Sequence, residues 1–245
     1  GRPIYLGGSA GPSLPTTPAA FQPTLAPGDL GSGFVAKLDA GGSALLWATY
    51  LGGDLGAGDV VYRVAVDASG AVYAAGETLA NDFPVTPSAF DSTASADADN
   101  GFVSKLLPGG SGVVWSTYIS ACCGGTTLQW DLAVDRAGNA ISVGLSNEPN
   151  YPTTADAFKP TYSVPFPQTD THLTKFNAFG EALVYSTYLG GGTTPSVGLD
   201  ANQDPYLCIV ATSGFTVTPG AYDTTFNGST DTAVVKFDLD PAPWL

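Results

Sequence analysis

The feature that most constrains this chain is an internal repeat. A strand-like segment that ends in lysine and an apolar residue occurs four times: Phe34–Leu38, Phe102–Leu106, His172–Phe176 and Ala233–Phe237. An aromatic–small–Thr–Tyr segment follows three of these copies: Trp47–Tyr50, Trp115–Tyr118 and Tyr185–Tyr188. Because the motifs return in the same order, the chain consists of duplicated units, as repeat architectures do.

A third motif predicts tight hairpins. In Val64–Asp67 with Gly70, and again in Leu132–Asp135 with Gly138, apolar residues alternate and the run then stops at Asp and Gly. Asp can bond its own backbone in such a turn, and Gly can take a positive φ. In each unit that has both, the segment that ends in lysine and an apolar residue forms a second hairpin with the aromatic–small–Thr–Tyr segment that follows it. Each period therefore predicts four short strands, which is the size of a propeller blade.

A fourth motif lies between the second and third predicted strands of each unit. Its copies are Leu14–Phe21, Phe83–Phe90, Tyr151–Phe158 and Phe215–Tyr222. The Thr-Pro-x-Ala-Phe pattern predicts a short helical turn that Thr17 or Thr86 caps, with proline at the first helical position. The final aromatic residue would pin this turn onto the blade. The insertion explains why the period exceeds the length of compact blades.

Together these motifs resemble the bacterial SBBP repeat family, named for a presumed seven-bladed β-propeller. The segment Tyr185–Gly191, Tyr-Ser-Thr-Tyr-Leu-Gly-Gly, is one example of the shared signature. The resemblance implies a propeller fold and a large exported bacterial protein. It implies no activity, because the family has no catalytic motif to carry over.

We therefore expect an all-β chain, a β-propeller or partial propeller of about four blades. The blades are expected to be four-stranded and antiparallel, with long loops between the second and third strands. The expected divisions of this single array are an incomplete first blade at 1–53, a second at 54–121, a third at 122–192 and an incomplete fourth at 193–245. Exposed sheet edges are costly, so we expect a longer array or completion by another chain.

Charge and composition narrow the partners. The chain has 22 acidic and 8 basic residues and a formal net charge of −14 at pH 7. Nucleic acids and anionic membranes both reward clustered Lys and Arg, so neither is an expected partner. No apolar run reaches the length of a membrane span, so membrane insertion is not expected either. We expect a secreted, extracellular or cell-surface bacterial protein.

The chain has three cysteines: the neighbours Cys122 and Cys123, and Cys208. An odd number cannot form a complete disulfide framework. Three alternatives stay open at this point: a vicinal Cys122–Cys123 disulfide, a bond from one of them to Cys208, and unpaired thiols. There is no CxxC spacing, which disfavours structural zinc.

Repeated charged positions have two interpretations. The lysines Lys37, Lys105, Lys175 and Lys236 would form a ring for an anionic ligand, or each would pair with a nearby carboxylate. Their repeated position within a strand favours the pairing. Asp67, Asp135 and Asp200 would line a cation site or make the hairpin turns, and their spacing to glycine favours the turns.

One loop has the pattern of a cation ligand set. Asp97, Asp99 and Asn100 alternate side-chain oxygens before Gly101, like the first half of a Ca²⁺-binding loop. The distal bidentate Glu of an EF-hand is missing, and Asn100 aligns with residues that begin the third strand in other repeats. The sequence thus predicts no cofactor other than a possible Ca²⁺ at Asp97, Asp99 and Asn100.

Candidates for a ligand-binding face lie in or beside the longer connections. They are Glu77, Glu148, Tyr62, Trp130 and Tyr151. Aromatic residues in polar loops suit sugar or protein contact, although they also suit packing over blade edges. His172 stands where other repeats have an aromatic residue, so we expect it to pack and not to catalyse.

These patterns predict a non-catalytic extracellular scaffold that binds a protein or a polysaccharide through its loop face, where ligand contacts usually reside. Association with further copies of itself through open blade edges is a second expectation. The alternative is a carbohydrate-active enzyme, a glycoside hydrolase or lyase, that uses Glu77, Glu148 or the Asp97 and Asp99 loop as acids.

Overall fold

The repeated segments all form β-strands in the computed structural model, which describes residues 1–25, 30–54, 58–95, 98–120, 124–165, 168–212 and 215–239. None of these residues lies in a helix, so no described segment is a helix that could cross a bilayer. The strands are β1 (Ile4–Ala10), β2 (Ser32–Leu38), β3 (Leu45–Tyr50), β4 (Val60–Val66), β5 (Val72–Thr78), β6 (Asn100–Leu106), β7 (Val113–Ile119), β8 (Thr127–Val134), β9 (Ala140–Ser146), β10 (Asp170–Phe176), β11 (Leu183–Leu199), β12 (Pro205–Ala211) and β13 (Asp231–Lys236).

The strands form three antiparallel sheets in which each strand pairs with its neighbour in sequence. The first sheet has the order β1-β2-β3, the second β4-β5-β6-β7, and the third β8-β9-β10-β11-β12-β13. Long connections join β1 to β2, β5 to β6, β9 to β10 and β12 to β13, as the insertion between second and third strands predicted. The expectation of an all-β, antiparallel chain is confirmed.

Strand β11 passes without a turn between two pairing partners. Its residues up to Gly191 pair with β10, and those from Gly192 pair with β12. The predicted boundary between the third unit (122–192) and the fourth (193–245) falls at this change of partner, and the backbone runs through it as one strand. A Cβ at position 192 would lie 2.6 Å from Ile209 Cγ2, so only glycine fits where the strand changes partners.

Strand β5 shows how the sheets pack. Val72 and Ala74 belong to a core cluster that also contains Val35 of the first sheet. Tyr73 belongs to a second cluster, which contains Phe176 of the third sheet. Because side chains alternate along a strand, β5 is buried on both faces and has no polar face. The second sheet therefore packs between the first and the third.

Tryptophans at equivalent positions of two units also hold neighbouring sheets together. Trp47 Nε1 donates a hydrogen bond to the carbonyl of Pro108 at 3.0 Å, from the first sheet to a hairpin of the second. Trp115 Nε1 donates in the same way to Ala178 of the third sheet at 2.9 Å. These bonds fix one end of each sheet against the next.

The Thr-Pro-x-Ala-Phe segments are not helical, contrary to the sequence prediction. Each makes a single hydrogen-bonded turn, in which the N–H of Ala89, for example, donates to the carbonyl of Thr86 at 3.0 Å. The Thr86 hydroxyl donates to the carbonyl of Ser116 at 3.2 Å and does not cap a helix. Because the adjacent strand β7 supplies a hydrogen-bond partner for Thr86, the polar groups of this residue do not depend on helical hydrogen bonds.

Candidate ligand-binding site

Two equivalent strands each contain an extra residue near the start. The pairing of β4 with β5 shifts register between Val61 and Arg63, and that of β8 with β9 shifts between Gln129 and Asp131. Tyr62 and Trp130 are the residues at these two bulges. A β-bulge leaves one residue unpaired and redirects its side chain.

The bulges bring the two aromatic rings together from different sheets. Tyr62 and Trp130 stack with ring centroids 5.1 Å apart and an interplanar angle of 28°. Trp130 is 36% exposed, and Tyr62 is half-buried. We call these two rings the aromatic pair. Exposed, mutually supported rings offer a rigid apolar surface to a ligand.

A carboxylate adjoins the aromatic pair. The Tyr62 hydroxyl donates a hydrogen bond to Glu77 Oε1. Burial is the main cause that raises the pKa of Glu77 above its ordinary value; the Tyr62 hydrogen bond opposes it, and the negative charge of Asp99 adds to it. Burial together with Glu77 also raises the pKa of Tyr62. The site thus combines two rings with a half-buried carboxyl group.

An ion pair beside the bulges joins β4 to β8 and also contacts the backbone of β11. Arg63 Nε donates to Asp131 Oδ1, and Arg63 Nη2 donates to Asp131 Oδ2 at 3.2 Å. The same Oδ2 atom accepts the N–H of Val197 on β11 at 3.0 Å. Sequence reasoning missed this pair. The available signal was that Arg63 and Asp131 occupy equivalent positions with opposite charge.

Tyr62 and Glu77 both lie in a stretch of the chain that matches a known family model. Residues 46–84 match the family model of the SBBP beta-propeller repeat. The resemblance found in the sequence is thereby confirmed for this stretch. The SBBP repeat begins in β3 and ends just beyond β5, so it spans the packing boundary between the first and second sheets. No curated protein matches the chain in sequence.

Two of the predicted ligand-face residues, Tyr151 and Glu148, lie outside the matched stretch 46–84, and both are buried. Tyr151 is 3% exposed and Glu148 is 5% exposed. Tyr151 stacks on His172 with ring centroids 4.0 Å apart, and its hydroxyl lies 2.6 Å from Thr174 Oγ1. The prediction of exposure is wrong for Tyr151, because its position corresponds to Phe83 of the SBBP repeat, which is also buried. The packing role expected for His172 is confirmed.

The candidate Ca²⁺ ligands have protein partners where they are described. Asp99 Oδ2 accepts the Thr126 hydroxyl at 2.9 Å. The Asn100 side chain accepts the N–H of Ser95 at 2.8 Å and so closes the loop before β6. Asp97 lies outside the described residues. Within the described ranges no three His, Cys, Asp or Glu side chains are grouped to hold a metal ion, and Ca²⁺ binding stays a prediction.

Three of the four repeated lysines pair with the repeated aspartates, as expected. Lys105 Nζ lies 3.2 Å from Asp67 Oδ2, and the equivalent pairs are Lys175–Asp135 at 3.3 Å and Lys236–Asp200 at 3.1 Å. Lys37 Nζ lies 5.1 Å from the centroid of the Tyr5 ring. The aspartates also make the hairpin turns: Asp67 Oδ1 accepts the N–H of Ala71 at 3.0 Å.

One cysteine can be placed. Cys208 lies on β12 as an exposed free thiol. Cys122 and Cys123 lie outside the described residues, and whether these two form a vicinal disulfide stays open.

Proposed function

We propose that this chain is a non-catalytic interaction module, a partial propeller of about four blades that binds a polysaccharide through the end of the sheets that carries the aromatic pair. The observation that carries the proposal is the stack of Tyr62 on Trp130, with Glu77 hydrogen-bonded beside it. Aromatic faces with adjacent hydrogen-bonding groups suit ligands that have both apolar and hydroxyl surfaces.

The arrangement of the sheets supports the propeller part of the proposal. The first strands of successive units, β4 and β8, approach one another closely enough for Arg63 to pair with Asp131. The division of β11 at Gly191 gives two strand groups that each follow the repeat, β8 to β11 and β11 to β13. SBBP repeats, as matched at 46–84, are beta-propeller repeats.

The exposed face of the last strand group supports an open arrangement. Val234 of β13 is 73% exposed, whereas Val35, Val103 and Leu173 at the equivalent positions are fully buried. A further sheet packed on this side would bury Val234 as the others are buried. This supports an arrangement in which further repeats pack on this face of β13.

The location we propose is outside the cell or on its surface, as exported SBBP-type proteins imply. The net charge of −14 favours uncharged or weakly cationic polymers over acidic ones, because like charges repel. If no polysaccharide binds, a protein ligand is the alternative.

The test measures binding of the chain to a panel of soluble polysaccharides by affinity electrophoresis or calorimetry. Trp130→Ala should weaken binding to the recognised polysaccharide by about tenfold or more, because it removes one ring and exposes the other. Phe179→Ala is the matched control, since Phe179 is an exposed aromatic residue (68%) in the turn between β10 and β11, at the other end of the strands. Equal loss in both variants, or no polysaccharide binding, would contradict the proposal.

A carbohydrate-active enzyme is the second candidate, and one observation favours it. The pKa of Glu77 is raised by burial and by the charge of Asp99, which is how a carboxyl group is prepared to act as a general acid. Turnover of any polysaccharide in the panel, abolished by Glu77→Gln with binding retained, would establish this alternative.

A further inference from the structure

The acidic side chains beside the aromatic pair have no basic partner. Burial is the main cause of the raised pKa of Glu77, and the negative charge of Asp99 adds to it. Asp99 is therefore close enough to Glu77 for the two charges to interact. In the described part of the chain, neither of these acids forms an ion pair with a lysine or an arginine. The aromatic pair is thus bordered by two negative charges that no described cation offsets.

A third carboxylate lies along the same boundary between the second and third sheets. The N–H of Asp99 donates to the carbonyl of Gly125 at 3.1 Å, and a Cβ at position 125 would lie 1.9 Å from Glu148 Oε1. Asp99 precedes β6, and Glu148 follows β9. Across the ranges that the structure describes, these carboxylates are not grouped tightly enough to hold one metal ion. Carboxylates spread along a boundary suit the separate positive groups of a chain-like ligand.

A buried amide adjoins Glu77 at this boundary. Gln129, which precedes Trp130, is 0% exposed, and neither polar atom of its side chain has a hydrogen-bond partner among the described residues. A Cβ at Gly101 would lie 2.9 Å from Gln129 Nε2, and Gly101 is the cross-strand partner of Glu77. The equivalent position in the second sheet holds Val61, which is buried and apolar. An unpartnered buried amide is costly, so its place beside Glu77 suits a polar ligand group.

Aromatic rings and carboxylates together favour one class of ligand. The faces of tyrosine and tryptophan rings attract cations, and a carboxylate accepts the N–H groups of an ammonium in charge-assisted hydrogen bonds. A neutral sugar would pack on the rings and leave the negative charges as they are. A ligand cation would offset the repulsion between Glu77 and Asp99. The chain itself has only 8 basic residues against 22 acidic ones.

We propose that the aromatic pair recognises a protonated amino sugar, so that the polysaccharide bound at this end of the sheets carries free amino groups. The sugar ring would pack on Trp130, and its ammonium group would face Glu77 and Asp99. This inference rests on the proposed function for the use of the aromatic pair, and it adds the chemical class of the ligand.

The experiment compares three hexasaccharides with the same linkage that differ only in the group at the second carbon of each sugar. Cellohexaose has hydroxyl groups there, the chitin hexasaccharide has acetamido groups and the chitosan hexasaccharide has amino groups. Calorimetry at about pH 6, between the ordinary pKa values of carboxyl and amino groups, measures their binding to the full chain. The chitosan hexasaccharide should bind about tenfold more tightly than the other two. Added salt should reduce this advantage, because it screens the charges.

Variants of the chain locate the amino group. Glu77→Gln removes one negative charge and keeps an oxygen that can accept the Tyr62 hydroxyl, so affinity for the chitosan hexasaccharide should fall about tenfold, to that of cellohexaose. Asp99→Asn should act in the same direction. Glu181→Gln is the matched control, because Glu181 is exposed in the turn between β10 and β11 and its substitution changes the net charge equally. Circular dichroism checks that each variant folds.

The outcomes separate this inference from the proposed function. Equal affinity for the three hexasaccharides, reduced in Trp130→Ala, would overturn the amine specificity and leave the polysaccharide site standing. An amine preference that survives in Glu77→Gln, or falls equally in Glu181→Gln, would also overturn it, because the net charge of the chain would then attract the amine. Binding of none of the hexasaccharides, or tighter binding of a lysine hexapeptide, would contradict the proposed function as well.

Discussion

Lys175 Nζ lies 3.3 Å from Asp135 Oδ2, and both side chains are almost completely buried, with 1% and 3% exposed. The same pair recurs at Lys105–Asp67 with partial burial and at Lys236–Asp200 near the surface, where Lys236 is 40% exposed. The protein therefore contains one interaction in three environments. A buried charge that loses its partner is far more costly than an exposed one.

Replacing the buried lysine should destabilise the protein strongly. We expect Lys175→Met to lower the free energy of unfolding by about 3 kcal/mol or more, because Asp135 would stay buried without its cation. Lys236→Met is the control and should have a smaller effect: it removes ion pairs to both Asp200 and Asp204, but Lys236 is 40% exposed and both carboxylates are more exposed than Asp135. Urea unfolding measures both variants. An equal or larger loss in Lys236→Met would show that burial does not govern this pair.

A glycine should be required where one sheet meets the next. Gly180 has φ +68°, and a Cβ there would lie 2.3 Å from the Trp115 ring. Gly220 has a similar φ of +83° but open space around it. Gly220→Ala should cost about 1 kcal/mol for backbone strain alone. Gly180→Ala should cost about 1–3 kcal/mol more, because the side chain also displaces Trp115. Thermal and urea unfolding test this difference, and equal costs would contradict the close approach.

The buried histidine should make stability depend on pH. Burial lowers the pKa of His172 from 6.5 to about 3. The unfolded chain therefore binds a proton between these values and the folded protein does not, so stability is fully present above pH 6.5 and is lost as the pH falls toward 3. From pH 7 to pH 5, His172 should account for a loss of about 2 kcal/mol.

His172→Phe isolates this effect, since phenylalanine occupies the equivalent positions Phe34 and Phe102. The carboxyl groups titrate in both proteins, so the difference between wild type and variant reports the histidine. Urea unfolding at pH 7 and pH 5 measures it. If the two proteins lose the same stability, then His172 takes up its proton without unfolding.

The Tyr62 hydroxyl should tune the carboxyl group beside it. Its hydrogen bond lowers the pKa of Glu77, against the effects of burial and Asp99 that raise it. Tyr62→Phe removes the hydrogen bond, so the pKa of Glu77 should rise further. A carbon-detected NMR titration of the glutamate carboxyl groups measures the change, and Trp130→Phe, which keeps the hydroxyl, is the control. A fall in the pKa of Glu77 in Tyr62→Phe would contradict the assigned bond.

Much of the fold could be predicted because the repeated motifs specify strands and turns through interactions between residues close in sequence. Val64–Asp67 with Gly70 predicted a strand and its turn, and Lys105 predicted a carboxylate partner, since the same spacing returned in each unit. The helical turn at Thr86 was predicted wrongly. Local propensity favoured it, but the neighbouring carbonyl of Ser116 took the threonine hydroxyl.

The sequence by itself determined the number and order of strands in each unit, because alternation and turn residues act within a few positions. Only the tertiary structure decided which units meet. It stacked Tyr62 on Trp130 and paired Arg63 with Asp131 across 68 positions of sequence, and it buried Tyr151. Those contacts depend on how successive sheets pack face to face, and a single unit's sequence carries no record of what its neighbour presents.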